Sequence, residues 1–152
     1  MELELAPDFK ELLRLLNEKQ VKYLLIGGYA VVLHGYVRNT NDIDIVVADD
    51  LENAEKVVAA LAEFGFAGDS LSTKLFTQPN SVVRMGTEPM KIEILKHVKG
   101  VGFEAPYERR RTIKAEDIEL SVIGLDDLIL NKQSVGRLQD LTDVEKLQKT
   151  NK

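Results

Sequence analysis

The spacing of apolar residues changes several times along this chain, and each change marks an element. Phe9, Leu12, Leu13, Leu15 and Leu16 recur at helical intervals, and Asp8 with Glu11 resembles a capping box. They predict a helix ending near Gln20. "YLLIGG" is a short apolar run closed by glycines, which suits a buried strand and a tight turn. Ala30 to Leu33 then reads as a short helix stopped at Gly35, and residues 42 to 48 as a second strand. "DDLENAEKVVAALAEFGF" is an amphipathic helix capped by Asp49 or Asp50 and stopped by Gly65.

Alternation takes over between residues 71 and 98. "STKLFT", "SVVRMG" and "KIEILKHV" read as three strands of a meander, with turns at Gln78-Pro79-Asn80 and Gly86-Thr87-Glu88-Pro89. After the Gly100-Val101-Gly102 loop, "FEAPYERR" is ambiguous and "TIKAEDIELSVIG" looks like further strand. Leu125 to Val135 and Leu138 to Gln148 close the chain as helices. The order predicts a mixed α/β domain: a core over residues 1–124, with the helices of 125–152 packed on it.

Composition narrows the function. There are 152 residues, enough to bury a core, and no cysteine, which excludes disulfides and thiolate metal sites. The opening MELELAPDF lacks a signal-peptide pattern and no apolar run spans a bilayer, so the expectation is a cytoplasmic protein without membrane association. The net charge of −5 argues against nonspecific nucleic-acid binding. Arg109, Arg110, Arg111 and Lys114 nevertheless form a basic run, either a solvated helix end or a local track for RNA. His34 reads as a helix-end residue, and with His97 the only other histidine, no histidine metal cluster can be built.

The chemistry lies in "GGYAVVLHGYVRNTNDIDIVV". In a strand, residues two apart share a face, so Asp42 and Asp44 point one way while Ile43 and Ile45 point the other. Two carboxylates side by side repel unless a cation sits between them, a task suited to Mg²⁺. Such pairs also occur at ordinary strand ends, so three further features matter. Gly27 and Gly28 follow a strand and open a helix, which lets a phosphate approach the backbone, though any tight turn uses such a pair. Glu93 opposes Ile92 and Ile94. It is either a solvent-facing glutamate or, if its strand pairs with that of Asp42 and Asp44, a third converging carboxylate. Lys132 continues the stripe of Leu125, Leu128 and Ile129, so it either snorkels or meets a negative partner such as a triphosphate.

Gly27-Gly28, Asp42-Ile43-Asp44 and Glu93, in this order, resemble the nucleotidyltransferase fold of the DNA polymerase β superfamily, in its small bacterial forms. "RNTNDIDI" is similar to an Arg-x-Thr-x-Asp-Ile-Asp pattern, which implies roles for Arg38 and Thr40 near the nucleotide. "VGFEAPYERR" and "LDDLILNKQSVGRLQDLTDVEKL" resemble the later part of AbiEii-like proteins, so the likeness runs from about Tyr23 to Leu147. The third acid of that family is more often Asp, where this chain has Glu93.

The resemblance implies a mixed, mostly antiparallel sheet flanked by helices. It also implies an enzyme moving a nucleoside monophosphate from an NTP to a hydroxyl. Asp42, Asp44 and Glu93 would be catalytic and hold Mg²⁺ or Mn²⁺; Gly27, Gly28, Arg38, Thr40 and Lys132 would bind the nucleotide. The acceptor is left open among protein, tRNA and small molecule, with a toxin–antitoxin or defence role and a second copy or partner protein in view. The alternative is a module of this fold that binds nucleotide or a partner without turnover.

Overall fold

The computed structural model describes residues 5–66, 68, 71–78, 82–86 and 91–151. Helix α1 (Pro7–Glu18) buries Phe9, Leu12, Leu13, Leu15 and Leu16 on one face. The expected capping box does not form. Pro7 stands at the first helical position and starts the helix at Ala6, one turn position too early for Asp8 to cap it. Glu11 instead accepts from Arg14 at 2.6 and 3.1 Å. The helix also stops short of Gln20, whose φ is 58°.

Strand β1 (Tyr23–Ile26) is buried along its whole length and leads directly into α2 (Gly27–Leu33). β2 (Asp42–Val47) follows, then α3 (Leu51–Phe64), where Asp50 caps by accepting from the Asn53 N–H at 3.0 Å and Gly65 closes the helix. The stretch expected as a strand at "STKLFT" is instead one helical turn, α4 (Lys74–Thr77). In a strand Phe76 would share a face with Lys74; the helical turn lets Leu75 and Phe76 meet the core together, with Phe76 fully buried.

Two strands of the expected meander remain, β3 (Val83–Met85) and β4 (Lys91–Leu95), paired antiparallel. Pro79 and Asn80 of the first turn, and Thr87, Glu88 and Pro89 of the second, lie outside the described residues, as do residues 1–4 of the opening segment. The ambiguous "FEAPYERR" is the short helix α5 (Glu104–Glu108). β5 (Arg111–Ala115) and β6 (Ile118–Val122) make a hairpin, and α6 (Leu125–Val135) and α7 (Leu138–Thr150) pack on each other.

The six strands form one mixed sheet in the order β3-β4-β2-β1-β6-β5. β1 runs antiparallel to β2 and parallel to β6, while β2 and β4 are parallel. Parallel neighbours need a crossover, and the chain from α3 through β3 supplies the one between β2 and β4. Helices α1 and α3 pack against each other, and α2 lies against β1 and β2. The core joins Leu24, Leu25, Ile43, Ile45, Ile92, Ile94, Leu120 and Val122 of the sheet to Leu12, Leu13, Val57 and Leu61 of the helices. Among the described residues no helix is long and apolar enough to cross a membrane.

One buried polar side chain ties the edges of this core. Asn53, 3% exposed, accepts from the Lys22 N–H at 2.8 Å and donates to the carbonyls of Lys22 and Ala48 at 3.1 and 2.9 Å. It therefore fixes the start of β1 and the end of β2, the two strands that set the depth of Asp44. Asn53→Ala takes this partner from the Lys22 N–H and the Ala48 carbonyl, while the Lys22 carbonyl keeps the Ala48 N–H at 3.1 Å. The variant is expected to lower unfolding free energy by about 2–4 kcal/mol, measured by urea denaturation. A loss below about 0.5 kcal/mol would show that the loops re-pair without it.

Candidate active site

The parallel register of β2 and β4 sets Asp44 directly beside Glu93 and Asp42 beside Lys91. Strand alternation sends Ile43, Ile45, Ile92 and Ile94 into the core, and the carboxylates to the opposite face. On the other flank of β2, Asp44 pairs in register with Ile26, the last residue before the glycine turn. That turn admits no side chain. Gly27 has φ +70°, and a Cβ there would collide with the Asp44 carboxylate. A Cβ on Gly28 would collide with the Thr40 side chain and come within 3.3 Å of Arg38 Nη1.

These groups line a cleft of about 630 Å³. All eight residues singled out from the sequence face it: Gly27, Gly28, Arg38, Thr40, Asp42, Asp44, Glu93 and Lys132. Asp42, Asp44 and Glu93 also border a smaller cavity of about 180 Å³ on the β3 side. There Arg84 donates from Nε to Glu93 Oε2 at 3.3 Å; in the larger cleft Thr40 Oγ1 donates to the Asp42 carbonyl at 3.3 Å.

Lys132 neither snorkels nor stands alone. It is 5% exposed, with Nζ 3.1 Å from Asp140 Oδ1 and 3.0 Å from Asp143 Oδ2. Arg38 is held in the same way: its Nε and Nη2 donate to the two oxygens of Asp143 at 2.9 and 3.0 Å. Arg137, which the sequence reading passed over, reaches Asp140 at 2.7 Å from Nε and also lines the cleft. Lys99, Asn131 and Gln139 are further lining residues absent from that reading, and His97, given no role there, lines the cleft as well. Their signal was faint, since loop and helix-end polar residues look solvated in a one-dimensional pattern.

The electrostatics follow from this placement. Burial first, then the charges of Glu93 and Asp42, push the Asp44 carboxyl from an ordinary 3.8 up to about 6, against the opposing pull of Lys132 and Arg137. Arg137 is held above its ordinary range by its bonds to Asp140, with Asp44 and Glu93 adding to the effect. Burial works to raise Asp140 and Asp143, but the former's bonds from Arg137 and Lys132 and the latter's from Arg38, Lys132 and Gln139 bring both below the usual carboxylate range. The cleft thus has an over-negative wall on the sheet and a cationic wall on the helices.

That negative wall fits a divalent cation. Among the described residues no three of His, Cys, Asp and Glu are gathered into a ready-made ligand set. Mg²⁺ does not need one, because it takes one or two carboxylates and completes its shell with water and substrate phosphates. Asp42 and Asp44 supply the hard oxygen donors, and the raised Asp44 carboxyl marks a place where positive charge is wanting.

Other candidates fall elsewhere. The basic run does not reach the cleft: Arg109 pairs with Asp127 at 2.8 and 3.0 Å, Arg110 lies 4.0 Å over the Tyr107 ring, and Arg111 opens β5. His34 ends α2, with its Nε2 2.7 Å from the Ile123 carbonyl.

The profile of a family described as a nucleotidyltransferase of unknown function (DUF6036) matches residues 4–151. No curated protein matches the chain. Crystal structures of other proteins share its fold, and two of them illustrate the likeness. One, from Thermotoga maritima, is a provisionally assigned nucleotidyltransferase, with TM-score 0.64 at 15% identity over 93% of this chain and 90% of that one. The other is the lincosamide antibiotic adenylyltransferase LnuA with lincomycin bound, with TM-score 0.64 at 19% identity over 97% and 98%. At these identities the likeness is one of fold.

The raised Asp44 value makes a stability prediction. Between about pH 4 and 6 the folded chain binds more protons at this site than the unfolded chain, so this carboxyl lowers stability as pH rises through that window. Asp140 and Asp143 act oppositely, and only where pH falls below the ordinary carboxylate range. Asp44→Asn should therefore melt roughly 3–8 °C above the wild type near neutral pH without metal. The gap should close by about pH 4. A variant no more stable at neutral pH would mean that the carboxylate is under no electrostatic strain.

Proposed function

The chain belongs to this nucleotidyltransferase family, and on that premise we propose that it transfers a nucleoside monophosphate from an NTP to an acceptor hydroxyl, with Mg²⁺ or Mn²⁺. One observation carries the reading: the β2–β4 register stacks Asp42, Asp44 and Glu93 on one wall of a cleft whose other wall holds Arg38, Lys132 and Arg137. The bond from the acceptor oxygen to the α-phosphorus forms, the bond from that phosphorus to the bridging oxygen breaks, and pyrophosphate leaves. The nucleotidyltransferase name of the family and the shared fold of an adenylyltransferase support the reaction class.

Each residue has a task in this scheme. Asp42 and Asp44, with Glu93, would hold the metal, which would offset phosphate charge and make the acceptor hydroxyl more acidic. A Glu93 carboxylate oxygen takes the hydroxyl proton as the new bond forms. The Gly27-Gly28 turn lets the phosphates lie against bare backbone, with Thr40 packed behind Gly28. Arg38 and Lys132 face the charge that grows on the departing pyrophosphate.

The acceptor is a protein, a tRNA or a small molecule. Of these, tRNA has the least support, since the chain is acidic and its basic run lies away from the cleft. The resemblance of the later sequence to AbiEii-like proteins supports a toxin–antitoxin or defence role within this reading, with a second copy or partner protein completing the acceptor side. A second reading rests on Arg84. Because it engages Glu93, the chain would hold nucleotide, or present this face to a partner, without turnover.

A labelling experiment separates the two. Each α-³²P-labelled NTP is incubated with the protein, Mg²⁺ or Mn²⁺, and a cell extract, beside Asp42→Ala and Asp44→Ala. Transfer is expected to fall by about 10³-fold or more in either variant, with the circular dichroism spectrum unchanged. Label in RNA, protein or a small molecule, seen only with the wild type, names the acceptor class. Turnover retained in either variant would sink the metal assignment, and metal-dependent NTP binding without any transfer would favour the second reading.

A further inference from the structure

The buried stripe of α7, like that of its neighbour α6, carries charge where those of α1 and α3 carry none. Asp140, Asp143, Val144 and Leu147 follow the i, i+3, i+4, i+7 spacing and all are buried, so half of the core-facing positions are carboxylates. Their side chains are 1% and 0% exposed. A helix that had only to stay docked would do as well with apolar residues, because packed hydrophobics often replace a buried ion pair at no cost in stability.

The partners of the two aspartates suggest another purpose. Asp143 accepts from Arg38, Gln139 and Lys132, at 2.9–3.0 Å, 2.9 Å and 3.0 Å. Asp140 accepts from Lys132 at 3.1 Å and from Arg137 at 2.7 Å. The three cations come from three places: the segment before β2, the middle of α6 and the residue before α7. All three line the same cleft as Asp42, Asp44 and Glu93. Three cations less two carboxylates (3 − 2) leave one net positive charge, while the fork geometry of Asp143 fixes the plane of the Arg38 guanidinium.

We propose that Asp140 and Asp143 are positioning residues that hold Arg38, Lys132 and Arg137 as a cradle for the polyphosphate of a nucleoside triphosphate. The assignment rests on the nucleotidyl-transfer reading above. Asp143 does not line the cleft, and Asp140, which does, has both carboxylate oxygens engaged by Lys132 and Arg137, so the pair acts through the cations. Their removal therefore weakens a ligand in proportion to the phosphates it carries, whereas a merely structural defect would weaken every nucleotide alike.

The test is calorimetric binding of α,β-methylene triphosphate analogues of the four nucleosides, and of the matching monophosphates, with Mg²⁺ present. Asp143→Asn, Arg38→Met and the double variant are compared with the wild type, and folding is checked by thermal melting. Asp143→Asn should weaken the triphosphate roughly tenfold or more. It should leave the monophosphate within about threefold, and the losses of Asp143→Asn and Arg38→Met should be clearly less than additive in the double variant.

Equal weakening of triphosphate and monophosphate, additive losses in the double variant, or unchanged binding would each overturn the positioning role while leaving nucleotidyl transfer standing. A wild type that binds none of the four triphosphates would overturn both. If Asp143→Asn does not fold, Asp140→Asn with Arg137→Met carries the same comparison, since the Arg137 side chain is 73% exposed at the rim.

Discussion

Parallel pairing of β2 with β4 forces like charges together, because the register that buries four isoleucines also lays Asp44 against Glu93 with Asp42 two residues along. The strands cannot slip by one residue to relieve the repulsion without turning the isoleucines out to solvent. Hydrophobic burial thus holds the carboxylates in place, and the Asp44 carboxyl is raised first by its own burial and then by the charges of Glu93 and Asp42. Much of the surrounding structure answers that charge. Gly27 keeps its own bulk away from Asp44, Arg84 leans on Glu93 from the sheet edge, and Lys132 and Arg137 face Asp44 across the cleft.

The cationic wall has the opposite problem and solves it with α7. Arg38 and Lys132 are both largely buried, and an unpaired cation at such depth would be costly. Asp143 lies at the junction of both, and Asp140 extends the chain of contacts to Arg137. The far end of α7 is tied to α2 as well: Asn151 donates to the His34 carbonyl at 3.0 Å, and Thr150 packs against Gly35. The helix therefore braces the segment between α2 and β2 at two points, and that segment carries both Arg38 and Thr40.

The sequence is most legible where periodicity and chemistry agree. A period of two puts Asp42 and Asp44 opposite Ile43 and Ile45, and the same rule isolates Glu93 between Ile92 and Ile94. The cap at Asp50 and the stop at Gly65 are local signals, and they hold. The pairing of β2 with β4 is not local; only the folded sheet decides it. "STKLFT" became a helical turn because one buried Phe76 outweighed weak alternation. The capping box at Asp8 yielded to Pro7. Lys132 stood out as a charge on an apolar stripe, and the same logic applied to α7 would have exposed Asp140 and Asp143. They escaped because aspartates among Gln, Thr and Glu look like a solvated face.

The separation of Arg38 from Asp143, 105 positions along the chain, has a consequence for biosynthesis. At ribosomal speeds, about 5–20 s pass between the synthesis of one and of the other. During that interval the nascent chain already contains Gly27, Gly28, Asp42, Asp44 and, later, Glu93, but lacks the helix that gives Arg38 and Lys132 their counter-charges. A growing chain therefore carries the acidic half of its cleft well before the basic half can lock. The completed geometry becomes available only after α7 has left the exit tunnel, so the order of translation itself withholds the assembled cleft until the fold is nearly whole.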